Sequence, residues 1–366
     1  DCLLSPYIIS NMFSKYVAKF PYGYNPSNSQ VTLLKEIEKA YEDGYKYVIV
    51  SAPTGTGKSF IPRTLGNVGA NPTKHFKELI NSYEAYRKDQ HGNYIFEKDC
   101  LSEPAFGTFA LTITKQLQDQ YKLLFDDIEI LKGKQNYICT VDESFNVDTA
   151  PCIHTPKLKN ECWAKNSCTY FSNRNNSLSN PFAVLNYKMF MALPGHVKRR
   201  NFIVCDEASE LEEELVRRFS AEIDYKRLDL YNIEYSKLRS EKYDIQYRWL
   251  INLIFVISEK ANELTNKNSS KINVLSLSEA NKLKYLKMLH GDLTTVEQTW
   301  HKCEYVVDTK SDRVSFTPLK IDNLSKHIFD YGDNILLMSA TITDHKAYAK
   351  VLGIKKYKYI ESPSVF

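Results

Sequence analysis

The chain has 366 residues, 43% of them hydrophobic and 25% charged, with 48 Lys and Arg against 44 Asp and Glu. That balance excludes a disordered chain, and no apolar run approaches the roughly 20 residues a spanning helix needs, so no membrane partner is expected. A net charge of +4 is too mild to announce nucleic acid by itself, although a basic face can sit inside a nearly balanced total. No basic region, apolar core and small-residue cleavage site opens the chain, which predicts an intracellular protein, cytoplasmic or, in a eukaryote, nuclear. The chain starts at Asp1, and residues 361–366 read as a strand or linker entering something further, so a fragment or processed chain is expected.

In chain order, Val31, Leu34, Ile37, Glu38 and Tyr41 show helical spacing, with Gln30 at the head of the helix and Gly44 at its end. Tyr47-Val48-Ile49-Val50 is a buried-strand run that feeds Ser51-Ala52-Pro53-Thr54-Gly55-Thr56-Gly57-Lys58-Ser59. With Ala52 in place of the first glycine this loop fits G-x-x-x-x-G-K-S/T, the cradle for a nucleotide triphosphate. Backbone N–H groups of Thr54, Gly55, Thr56, Gly57 and Lys58 would face the phosphates, Lys58 would reach the outer ones, and Ser59 would ligate magnesium as a helix begins at Lys58. Residues 66–104 read as an insertion with a polar helix near 74–88 and no assignable chemistry. A strand over 108–113 and a helix over 116–124 form the next unit of a parallel sheet.

Residues 131–170 are loop-rich, and residues 182–191 are an apolar helix or strand. Asn201–Ala208 is a buried strand carrying Asp206 and Glu207 at its end, where open parallel sheets place ligand-binding residues. Asp206 would hold magnesium through water and Glu207 would orient or deprotonate the attacking water, with cradle and acidic pair expected on adjacent strand ends. The structural alternative for the pair is a solvated start to an acidic helix, because Glu210, Glu212, Glu213 and Glu214 follow. Residues 212–296 are mostly helical, with Trp249, Leu250, Leu253, Ile254 and Ile257 as a packing stripe. Short strands at 305–308 and 313–316 precede a final strand over 334–341 that returns to the sheet.

Of eight cysteines, Cys139, Cys152, Cys162 and Cys168 fall together as C-x12-C-x9-C-x5-C. An intracellular chain disfavours disulfides, so a metal site accounts better for the cluster. Four thiolates on a long loop suit an iron-sulfur cluster, while zinc stays open because spacing alone does not exclude it. His154 reads as a loop histidine or a substitute ligand.

The cradle, Asp206-Glu207-Ala208-Ser209 and Ser339-Ala340-Thr341 together resemble the superfamily-two helicases, and the place of the cysteines, between the second sheet unit and the Asp206 strand, resembles the DinG and XPD group of iron-sulfur DNA helicases. The resemblance implies a RecA-like parallel-sheet P-loop motor domain (1–130, 175–211 and 324–366) interrupted by a 4Fe-4S cluster domain (131–174) and a mostly helical arch (212–323). It implies ATP and magnesium as cofactors, Gln30 on the adenine, and Thr112, Thr114, Lys115, Gln116 and Asn186 on nucleic acid, with Tyr187 standing where the family has His. It further implies a monomer that moves 5′ to 3′ on single-stranded DNA or at single/double-strand junctions, with a second motor domain required. Tyr137, Trp163, Tyr170 and Phe171 are expected to pack around the cluster loop or stack on bases.

Two departures stand out. Ser209 replaces the family's usual His, which weakens the expected contact with Ser339, and the Gln-x-x-Gly-Arg-x-x-Arg motif of the second motor domain is absent. The chain as given is therefore expected to bind ATP and DNA and to hydrolyse slowly. An RNA helicase or translocase on the same frame, a single-strand-binding module without unwinding activity, and a zinc-stabilised ATPase acting on protein are the competing readings.

Overall fold

The computed structural model describes residues 14–82, 103–154, 158, 162, 168–266 and 275–362. Among them the strands are β1 Tyr47–Ser51, β2 Thr108–Thr112, β3 Glu129–Leu131, β4 Phe182–Asn186, β5 Arg200–Asp206, β6 Ala221–Asp224, β7 Tyr305–Thr309, β8 Arg313–Pro318, β9 Gly332–Ser339 and β10 Tyr357–Glu361. The chain divides into two compact units, one made of Asp1–Lys132, Asn173–Glu212 and Ser325–Phe366, the other of Gly133–Ser172 and Glu213–Leu324. No helix among the described residues is long and apolar enough to cross a membrane.

The first unit is built on a seven-stranded sheet in the order β10-β1-β9-β5-β2-β4-β3, parallel at every pairing. Its central strands are near-continuous apolar runs because helices cover a parallel sheet and leave no wet face. The helix Asn28–Glu42 shows how such a cover forms. Ser27 caps it and Gln30 closes a capping box, so two orphan N–H groups are bonded before the first turn ends. Its far end stops at Gly44, whose φ of 79° suits a residue without Cβ. Between these signals Leu34 and Ile37 fall on one face and are fully buried against Val48 and Val50. Each such side chain contributes about 1.5–3 kcal/mol relative to exposure.

Several expectations need correction. Cradle and acidic pair do not stand on adjacent strands, because β9 runs between β1 and β5 and brings Ser339 into the row. The helix after the cradle begins at Phe60 rather than Lys58. The apolar stretch at 182–191 is strand and then helix, Phe182–Asn186 followed by Tyr187–Ala192. Ahead of the tail, a strand that the sequence pattern does not announce, β10, pairs with β1 along its length and extends the sheet, while residues 363–366 lie outside the described residues. The polar helix of the insertion is described over Lys74–Asn81, and its expected continuation lies outside the described residues.

The second unit contains an antiparallel sheet, β6-β8-β7, and two long helices, Tyr243–Asn266 and Leu277–Cys303, that pack together. Trp300 is its fully buried hub, stacked on Tyr305 at 5.5 Å and on Tyr247 at 5.7 Å. Leu250, Leu253 and Ile257 are buried, so the stripe is packing.

Candidate nucleotide and metal site

The loop between β1 and the helix Phe60–Val68 owes its shape to two left-handed glycines, Gly55 at φ 83° and Gly57 at φ 72°. A Cβ on Gly57 would stand 2.3 Å from Gln30 Nε2, so that position admits no side chain unless Gln30 moves. Gln30 Nε2 donates to the Gly57 carbonyl at 3.2 Å while its Oε1 accepts from Ser27 N–H at 2.8 Å, which ties the head of the first helix to the cradle. Thr56 donates to the Pro53 carbonyl at 2.8 Å and closes the loop on itself, whereas Thr54 and Gly55 are exposed. Backbone bonding continues into the sheet through Ala52 N–H to Ser339 O at 3.0 Å.

Lys58 Nζ stands 3.5 Å from Glu207 Oε1, and this buried ammonium has no hydrogen-bond partner among the described residues. A buried, unbonded cation at the end of a glycine loop is what an anionic ligand would complete, so the residues present fit a triphosphate. Asp206 is 5% exposed; its Oδ1 accepts from Glu207 N–H at 3.1 Å and its Oδ2 accepts from the Tyr121 hydroxyl at 2.9 Å. Burial pushes its carboxyl above the usual carboxylate range against the pull of the Tyr121 bond and Lys58. Burial also raises Tyr121 well above an ordinary phenol, and the Asp206 charge and hydrogen bond add to it. Tyr121 thus holds Asp206, one of the two groups expected on magnesium, and no motif in the sequence singles it out.

Glu207 adopts φ 51° and ψ 50°, a left-handed conformation that costs a non-glycine residue about 1–3 kcal/mol. That turn aims its carboxylate back over the sheet toward Lys58 and Ser339. Ser339 Oγ lies 3.4 Å from Glu207 Oε2 and 3.0 Å from Ser209 Oγ, and with one proton it donates to one of them at a time. The contact expected to weaken at Ser209 is therefore present, hydroxyl to hydroxyl. Tyr187, in the place of the family's His, is fully buried and donates to the Asp206 carbonyl at 3.1 Å.

The residues expected on nucleic acid split. Thr112 is fully buried and its hydroxyl donates to the Thr114 carbonyl at 3.3 Å, so it is not available at the surface. Thr114, Lys115 and Gln116 are exposed at the start of the helix Lys115–Leu124, where Thr114 Oγ1 accepts from Leu117 N–H at 3.3 Å. Asn186 caps the next helix by accepting from Met189 N–H at 2.7 Å.

In the second unit Cys139 and Cys152 are buried, while Cys162 and Cys168 are partly exposed. Burial pushes the Cys152 thiol up to about 12, and the thiols of Cys162, Cys139 and Cys168 add to the rise, so the four share one neighbourhood. Their donor chemistry suits an iron-sulfur cluster, but among the described residues no group of three or more His, Cys, Asp or Glu is arranged to hold a metal ion. Tyr170 and Phe171 are buried and meet edge to face at 5.4 Å, which makes them packing rather than base platforms. Trp163 and the side chain of His154 lie outside the described residues.

No protein-family model and no curated protein matches this chain. Solved structures do. An XPD helicase superposes with a TM-score of 0.52 at 15% identity over 92% of this chain, and a truncated XPD with a TM-score of 0.50 at 14% identity over 89%. The chain spans 62% of the length of the former and 98% of the latter. At such identities the likeness is one of fold: this chain has an XPD-like helicase fold.

Proposed function

We propose that the chain is the ATP-binding motor half of a DNA helicase of the DinG/XPD type, moving 5′ to 3′ on single-stranded DNA and unwinding junctions together with a second motor lobe. The observation that supports this most is the convergence of Lys58, Ser59, Asp206, Glu207 and Ser339 at the ends of three strands of one parallel sheet. Gly55, Thr56 and Gly57 shape the phosphate cradle, Thr54 borders it, and Gln30 holds the cradle against the adenine side. Lys58 balances phosphate charge, and Ser59 directly and Asp206 through water would hold magnesium, which would offset charge on the phosphate oxygens. Glu207 takes a proton from water, the water oxygen bonds to the γ-phosphorus, and the bond from that phosphorus to its bridging oxygen breaks to leave ADP and phosphate.

Thr114, Lys115 and Gln116 suit sequence-neutral contact with a phosphate backbone. Under this reading Cys139, Cys152, Cys162 and Cys168 bind a 4Fe-4S cluster, the helical region near it forms the arch, and a second lobe supplies arginines to the phosphates.

The test is nucleotide binding by the chain, followed by ATPase assays of this chain and a second motor lobe. Lys58→Ala is expected to weaken ATP binding about 10- to 100-fold, the loss of a charged contact, without unfolding the chain. Stimulation of hydrolysis by single-stranded DNA over RNA of equal length supports the DNA reading; the reverse preference moves the assignment to an RNA helicase on the same frame. Wild-type protein that binds no ATP ends the motor reading.

A further inference from the structure

Tyr121 is a buried polar group that the proposed reaction leaves unused. It sits on the inward face of the helix Lys115–Leu124, is 1% exposed, and its ring neighbours Phe182 with centroids 6.3 Å apart. Phenylalanine would serve that packing equally well. A phenol buried in such surroundings must find a partner, and this one finds it at a strand end. Its hydroxyl donates to Asp206 Oδ2, at the end of β5, at 2.9 Å. The backbone ladder places the Asp206 Cα but leaves the rotation of its carboxylate to side-chain partners.

We infer that Tyr121 is a positioning residue of the magnesium-nucleotide site, holding the Asp206 carboxylate in the orientation from which it faces the metal. The inference rests on the reading of Asp206 as a magnesium-binding residue. Groups that orient metal ligands without touching the metal characteristically change metal affinity 10- to 100-fold when removed. The remaining Asp206 oxygen is fixed by Glu207 N–H at 3.1 Å, so the phenol completes the definition of the carboxylate plane. A phenol that merely solvates a buried carboxylate would affect stability with or without metal. A positioning phenol affects the metal response in particular.

The experiment titrates magnesium against binding of a fluorescent N-methylanthraniloyl ATP to the full chain, with an EDTA arm for metal-free affinity. Tyr121→Phe is expected to raise the half-saturating magnesium concentration roughly 10-fold while leaving metal-free affinity at the wild-type value. In an Asp206→Asn background the same substitution is expected to add nothing, since the two act through one bond. An unchanged magnesium response in Tyr121→Phe overturns the inference and leaves the site reading standing. Equal weakening in the EDTA and magnesium arms identifies a structural role and also overturns it. Wild-type protein that ignores the nucleotide in both arms overturns the site reading itself. Should Tyr121→Phe fail to fold, 4-aminophenylalanine at 121 keeps a donor at the same reach. Wild-type magnesium dependence in that variant supports the inference, and a shifted dependence overturns it.

Discussion

The strand ends of the seven-stranded sheet and the cysteine segment of the second unit bring distant residues together in opposite ways. At the sheet, β1, β9 and β5 deliver Lys58, Ser339 and Asp206 through unbroken parallel registers, and the side chains then lock through bonds such as Tyr121 to Asp206. In the cysteine segment the backbone is held by a short hairpin-like contact, Cys139 N–H to Phe145 O and Val147 N–H to Tyr137 O, both 2.9 Å, and by Lys284 to Asp148 at 2.5 Å. A ladder sets side-chain positions before any ligand arrives, whereas a loop site of this kind generally gains its geometry with the ligand it binds. The sheet site can therefore be read from geometry, and the cysteine site from donor chemistry.

The strongest way to break this contrast is to remove what fixes the sheet from below. Arg200, at the opposite end of β5 from Asp206, is fully buried, and its guanidinium donates to the carbonyls of Leu178 at 2.7 Å, Arg199 at 2.7 Å and Val197 at 3.2 Å. Phe109 and Phe106 cover it at 3.7 and 4.0 Å. Burial pulls its pKa well below the usual arginine value, with no carboxylate hydrogen-bonded to it among the described residues. Arg200→Ala leaves those carbonyls without a donor and a cavity behind them, so a loss of about 3–5 kcal/mol is expected in denaturant unfolding, with ATP binding falling in step. A loss below about 1 kcal/mol would show that the strand floor does not depend on this residue.

The next effect lies on the other side of the comparison. If the cysteines hold the proposed cluster, Cys152→Ser in protein prepared without oxygen is expected to reduce bound iron to background while any ATP affinity at the first unit stays at the wild-type value. If zinc replaces iron in the wild type and is lost with Cys152, the donor set stands and the cluster does not. Unchanged metal content in the variant would remove Cys152 from the site.

Much of the sheet site was legible because its signals are local. The loop Ala52–Ser59 carries its glycines, lysine and serine in a single run, and Asp206-Glu207 closes an apolar strand. Tyr121 was not legible, since a tyrosine on the inner face of an amphipathic helix reads as packing, and its partner Asp206 is 85 residues away. Arg200 was hidden for a related reason: its satisfaction comes from carbonyls, which have no sequence signature. β10 escaped because only Ile360 of Tyr357–Glu361 is buried, so the period-2 pattern of this edge strand is almost absent. At 182–191 apolar content alone could not separate strand from helix; Asn186, as the cap, is the residue that marks the change.

The smallest effect concerns what the sheet site costs the chain that carries it. Because burial raises the folded pKa of Asp206 above its unfolded value, the folded state binds this proton more tightly than the unfolded state does. Its penalty is absent below the ordinary carboxylate range, grows as pH rises from there through the raised folded value, and is complete above it. Asp206→Asn removes the charge and keeps the shape, so at neutral pH it is expected to stabilise the nucleotide-free chain by roughly 1 kcal/mol. The gain should shrink as pH falls toward about 4, where the unfolded wild-type carboxyl also takes up its proton. Denaturant midpoints for both proteins across this range test it: a variant less stable than wild type at neutral pH, or a gain indifferent to pH, would mean that the Tyr121 and Lys58 contacts outweigh burial and that Asp206 carries no strain.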